Sequence, residues 1–251
     1  MSTSPDVFDG RPLIDEDILA SDTSPLVSAW VYDEMLGEMP AKDAQAKMTR
    51  IEQTLSKDQY INFVARFGRA AFDTYMHSAV SGRLELIKRA YDIAKQASKL
   101  KPENAVILKL CTMLSATLAE AERDPKRLYE FKEYLEAACK MMPNDHVLFH
   151  IRGRFAYNTA KLSEDECKSL NVPKATFERA LTDLLRANEF EPTAIDNLLF
   201  IAKCYEGLGD YENMRHFLEQ ILDLQPNNLT DEGYIEEAEK LLDALSEPGD
   251  S

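Results

Sequence analysis

The chain has 251 residues, 45% apolar and 29% charged, with a formal net charge of −15, a balance that fits a folded soluble protein rather than a disordered one. Its 9 glycines are too few for an all-β protein with a tight turn every ten residues or so, so the composition leans helical. No stretch approaches the roughly eighteen apolar residues of a membrane span, and the start, acidic and without a basic residue before Arg11, excludes a secretory signal and argues against a mitochondrial presequence.

Residues 1–25 carry Pro5, Pro12 and Pro25, six acidic side chains and one basic one, and read as a flexible acidic tail. Residues 26–57 predict N-terminal helices over 28–36 and 41–55, separated by Pro40. Over 58–226, helices alternate with short breaks, and a proline recurs at one structural point: Lys101-Pro102-Glu103-Asn104, Met142-Pro143-Asn144-Asp145, Glu191-Pro192-Thr193 and Gln225-Pro226-Asn227. The intervals are 41, 49 and 34 residues. A helical hairpin of about 34 residues closed by proline is the tetratricopeptide (TPR) unit. Proline suits that point because it cannot donate a helical hydrogen bond and so stops one helix before the next begins. The expected fold is therefore all-α: a TPR-like superhelix of about four tandem hairpins, an α-solenoid with flanking and capping helices.

In the first repeat Gly68 takes the small, close-packing site of helix A, and Leu84, Ile87, Tyr91, Ala94 and Ala97 form an apolar stripe on helix B. Gly153 takes the equivalent site in the third repeat, which carries a longer inter-helix loop over 163–173. The last repeat sets Leu198, Ile201, Ala202 and Tyr205 on helix A and Leu218, Ile221 and Leu224 on helix B, although Met214 and Ile221 stand where a small residue is usual. The body over 26–226 holds 30 acidic and 27 basic residues, so most of the negative charge lies at the ends. Residues 227–251, with eight acidic side chains and one basic, predict a capping helix and an acidic tail. Thr230 is placed to cap that helix, with Asp231 and Glu232 in its first turn. Its Tyr234, Ile235, Ala238, Leu241, Leu242 and Leu245 would cover the open end of the stack.

No catalytic constellation, cofactor loop or metal spacing is found, and the chain reads as a non-enzyme. Cys111, Cys139, Cys167 and Cys204 lie about a repeat apart without a C-x-x-C pair and read as reduced thiols on helices. His146 and His150 are one turn apart but lack a third ligand nearby. The fifth and ninth positions of a TPR helix A face the concave surface, and counting through the repeats puts Arg69, Lys109, His150, Arg154 and Lys203 there. Such a row would focus positive potential and grip carboxylates or phosphates. The alternative is that these groups pair with neighbouring acids. A second basic face, Lys88, Arg89, Lys95 and Lys99, runs along the first helix B, where a plain solvated surface is the competing reading.

The chain resembles the regulator of microtubule dynamics (RMD) family of TPR-like proteins through most of 58–245. The resemblance is carried by Arg66-Phe67-Gly68-Arg69-Ala70-Ala71, Tyr91-Asp92-Ile93-Ala94-Lys95, His150-Ile151-Arg152-Gly153-Arg154-Phe155-Ala156-Tyr157, Pro173-Lys174-Ala175-Thr176-Phe177-Glu178-Arg179-Ala180-Leu181, Leu199-Phe200-Ile201-Ala202-Lys203-Cys204-Tyr205 and Glu237-Ala238-Glu239-Lys240-Leu241-Leu242. It implies a cytoplasmic, microtubule-associated adaptor acting in spindle function and chromosome segregation at spindle microtubules and poles. Tubulin, and other spindle proteins, would be its partners, and basic groups at Arg69, Lys109, His150 and Lys203 would belong to the pattern. A branch of the family tethers organelles and binds phospholipid. Against that branch, the chain shows no N-terminal membrane anchor, and its 163–170 loop is acidic where relatives are more aromatic. A phospholipid-binding or transfer module and a generic protein scaffold stay open as alternatives. Nucleic acid is not an expected partner.

Overall fold

The computed structural model describes residues 57–77, 79, 82–122 and 125–246. The tail expected over 1–25, the helices expected over 28–36 and 41–55, and residues 247–251 lie outside the described residues. Among the described residues every regular element is a helix, as expected for a TPR-like α-solenoid. Four helices belong to a first compact unit: α1 (Lys57–His77), α2 (Arg83–Leu100), α3 (Ala105–Glu122) and α4 (Pro125–Met141). Six belong to a second: α5 (His146–Lys161), α6 (Glu164–Ser169), α7 (Phe177–Asn188), α8 (Ile195–Leu208), α9 (Tyr211–Leu222) and α10 (Asp231–Ser246).

In the first unit α1 pairs with α2 and α3 with α4, and α3 also packs on α1 and α2. The approach of α1 to α3 needs a residue without a side chain, since a Cβ on Gly68 would sit 2.5 Å from Leu110 Cδ2. Phe63 and Phe67 stack at 6.0 Å, and with Ile87, Tyr91, Leu110 and Leu114 they form the core. The recurring proline has a partner that restarts the chain. After Lys101-Pro102-Glu103, Asn104 Oδ1 accepts the Ile107 N–H at 3.0 Å and so caps α3. After Pro143 and Asn144, Asp145 Oδ1 accepts the Leu148 N–H at 3.1 Å and caps α5 in the same way.

In the second unit α5 pairs with α7 and α8 with α9, and α10 packs on both α8 and α9. Gly153 is the contact point of α5 with α7: a Cβ there would lie 2.6 Å from Leu184 Cγ and 3.2 Å from the Ala180 carbonyl oxygen. The long loop expected over 163–173 contains one short helix, α6, set by a capping box. Ser163 Oγ accepts the Glu166 N–H at 3.2 Å while Glu166 Oε2 accepts the Ser163 N–H at 2.7 Å. The strap is fastened to the end of α5, where the Cys167 thiol donates to the Thr159 carbonyl at 3.7 Å. Lys174 Nζ donates to the carbonyls of Ala160, at 2.8 Å, and Leu162. Gly209, at a φ of 74°, makes the tight turn into α9, which Asp210 caps through the Asn213 N–H. At the far end Ala238 is buried, and Tyr234, Leu241 and Leu242 pack on the core of Leu198, Leu218 and Ile221. The Thr230 hydroxyl, expected at the α10 cap, donates to Asn228 Oδ1 at 2.6 Å, and Asp231 accepts the N–H groups of Asn227 and Asn228.

All four cysteines are free, with Cys111, Cys167 and Cys204 buried. Burial pushes the Cys111 and Cys204 thiols up to about 12. No helix of the described residues is long and apolar enough to cross a membrane.

Candidate functional site

Three of the five expected helix A cations lie in the second unit and come together there. His150 and Arg154 are four residues apart on α5 and share a face. Asp196, Phe200 and Lys203 line the opposing face of α8 at steps of four and three. Asp196 Oδ2 is 2.9 Å from His150 Nε2 and 3.5 Å from an Arg154 terminal nitrogen. Asn197 Oδ1 is 2.8 Å from His150 Nδ1, and its Nδ2 donates to the Leu184 carbonyl at 3.0 Å, which fixes the amide orientation. Both imidazole nitrogens thus face oxygen atoms, Asp196 on one side and Asn197 on the other. Burial alone would raise the Asp196 carboxyl. The positive charges of His150 and Arg154, with the Asn197 N–H, instead hold it well below the usual carboxylate range.

A single aromatic ring organises the rest. The Arg154 guanidinium lies 4.5 Å and the Lys203 ammonium 5.2 Å from the centroid of Phe200. Tyr157 meets the same ring edge-on at 5.3 Å. Attraction of a cation to an aromatic face helps to hold Arg154 of α5 and Lys203 of α8 at the buried ring. Lys203 Nζ reaches Glu237 Oε1 of α10 at 2.6 Å. A planar guanidinium and an ammonium at one ring are suited to gripping an anion. The cluster holds no activated nucleophile, since the nearby Cys204 thiol is pushed up by burial and the Tyr157 hydroxyl likewise to about 12. Among the described residues no group of three or more His, Cys, Asp or Glu could hold a metal ion.

The other two helix A positions belong to the first unit, and they differ. Arg69 Nε lies 2.9 Å from both Asp73 carboxylate oxygens, and burial raises that carboxyl despite the guanidinium. Lys109, expected to face a groove, is only 3% exposed. It sits in a run, 107–115, that α3 buries on every side. The second basic face divides as well. Lys88 pairs with Glu85 at 3.0 Å and Glu122 at 3.3 Å, and Lys95 with Glu130 at 2.5 Å. Tyr91 donates to the other Glu130 oxygen at 2.8 Å, and Arg127 bridges Glu122 and Glu130. Burial would raise the Glu130 carboxyl, but Lys95 and Tyr91 bring it below its ordinary value. Arg89 is half-buried and Lys99 exposed.

Four members of the site were missed in the sequence: Asp196, Asn197, Phe200 and Glu237. The spacing of Asp196 and Phe200 ahead of Lys203 could have found two of them. Glu237 had no local signal.

The sequence profile of a family described as "Regulator of microtubule dynamics protein 1-3" matches residues 32–246. Human Regulator of microtubule dynamics protein 2 is 29% identical over 198 residues, 74% of this chain and 48% of that protein. Regulator of microtubule dynamics protein 1 of Caenorhabditis elegans is 27% identical over 168 residues, 64% of this chain and 74% of that protein. The chain thus spans less than half the length of the human relative it matches, as it does of the bovine one, at 41%. Among solved structures, a TPR protein of Thermus thermophilus matches with a TM-score of 0.51 at 15% identity, over 86% of this chain and 97% of that one, a likeness of fold alone.

Proposed function

Because this chain belongs to the regulator of microtubule dynamics protein 1-3 family, we propose that it is a non-enzymatic, microtubule-associated adaptor that holds an acidic partner at its helix A cations. The observation that carries this reading is the convergence of His150, Arg154 and Lys203 on the Asp196–Phe200 face of α8. The partner class follows from charge: tubulin surfaces and tails are acidic, and an arginine and a lysine beside an aromatic ring match a carboxylate-rich segment. In a cell the protein would act in the cytoplasm, at spindle microtubules and poles, in spindle function and chromosome segregation. The negative charge concentrated toward the chain ends would oppose nonspecific contact with the same acidic surface.

The test is co-sedimentation of the full chain with stabilised microtubules across a salt series. Saturable pelleting that fades above about 0.15 M salt, where charges more than about 8 Å apart are screened, is the expected result. Absence of pelleting at low salt would overturn direct binding. Liposome flotation run in parallel separates this reading from the phospholipid one.

A further inference from the structure

Building on that reading of the α5–α8 face, we propose that Glu237 of α10 is an intramolecular competitor for the acidic ligand, occupying Lys203 until a partner carboxylate displaces it. Asp196 and Glu237 both touch cations of this site, and they are held very differently. Asp196 belongs to the first turn of α8 and is fixed by the Asn197 N–H, His150 and Arg154 together. Removing it would break several contacts at once, so it is part of the frame. Glu237 comes from a separate helix and reaches across to Lys203 at 2.6 Å. Its side chain is 44% exposed, against 15% for Lys203.

That asymmetry decides which group can leave. An exposed carboxylate regains its water on release and loses only the modest attraction of a half-solvated ion pair. Lys203, already lying against Phe200, keeps its place when Glu237 departs. A carboxylate arriving from a partner would make the same bond that Glu237 made, beside the Arg154 guanidinium that lies on the same ring and pairs with Asp196. The exchange of like for like means the resident glutamate lowers apparent affinity by the fraction of time it is bound. It also filters ligands: one isolated carboxylate gains nothing over Glu237, whereas an acidic run adds the longer-range attraction of the neighbouring positive charge.

The experiment measures binding of a fluorescent glutamate-rich peptide to the full chain by anisotropy at low salt. Glu237→Gln is expected to tighten binding about fourfold, the size of a part-exposed ion pair. Glu239→Gln, which removes the same charge from an exposed position of α10, should leave affinity unchanged. In a Lys203→Gln background, binding should be weaker and Glu237→Gln should have no further effect. Equal affinity for Glu237→Gln and the parent chain, with Lys203→Gln still weakening binding, overturns the competitor and leaves the groove reading standing. Equal tightening by Glu239→Gln reduces the effect to net charge and overturns it too. If Lys203→Gln binds as the parent does, with an unchanged thermal melt, the groove reading fails and the competitor fails with it.

Discussion

The cations of α2 and those of α5 and α8 look alike along the chain, and their surroundings differ in how the facing acids are shared among them. On α2, Lys88 and Lys95 meet Glu122 and Glu130, carboxylates supplied by the neighbouring hairpin, and Tyr91 completes the set from the core side. Charge there is consumed in joining helices. On α5 and α8 Asp196 is shared between His150 and Arg154, Lys203 meets Glu237 of α10, and a neutral ring seats Arg154 and Lys203. A lysine count along a helix therefore says little; Lys95 and Lys203 each meet one carboxylate and one aromatic ring, and what differs is how many further cations share those groups.

The largest expected effect tests that contrast directly. Reversing Arg154→Glu and Lys203→Glu together should weaken binding of a glutamate-rich peptide more than tenfold, since each reversal replaces an attraction with a repulsion. Reversing Lys88 and Lys95 should change affinity less than twofold and instead lower stability. A comparable loss of binding from both pairs would break the comparison. The next effect concerns stability: Glu130→Ala orphans the Tyr91 hydroxyl, whose ring is fully buried, removes the Lys95 ion pair and leaves Arg127 to Glu122. Urea denaturation should show a loss of about 2 kcal/mol, the cost of leaving a buried donor unsatisfied.

Smaller still is an acid-limb effect in the second unit. Asp196 has its carboxyl held low in the fold, so its stabilisation is complete above the ordinary carboxylate range. It is lost as pH falls below that range toward the folded value. Asp196→Asn should flatten the decline in stability below about pH 4 by roughly 1 kcal/mol, after allowing for partial solvent screening. The smallest is Lys99→Gln, at an exposed position, which should alter neither melt nor binding by more than the error of measurement.

The hairpins were legible because proline, asparagine and aspartate act on the backbone locally: a stop and a cap need no knowledge of the rest of the chain. Gly68 and Gly153 were legible for the same reason, as gaps in an apolar stripe where two helices must touch. The capping box of α6 lay in plain view as Ser163 and Glu166 but was passed over inside a run of acids. Lys109 is buried where register counting, which assumes an amphipathic helix A, expects an open face: α3 is buried around its circumference over 107–115, Lys109, Thr112 and Ser115 included. Glu237 was out of reach altogether, since its bond to Lys203 joins residues 34 positions apart and nothing local prefers that acid to its neighbours.

The buried thiols give the two units separate clocks. Cys111 lies in the core of the first and Cys204 in that of the second, each protected from alkylation by burial and by a thiol pushed up to about 12. A pulse of thiol-reactive label, read by peptide mass, would report how often each unit opens without adding a probe to either. Ligand bound at α5 and α8 should slow the Cys204 clock, and the Cys111 clock would run on as the internal reference.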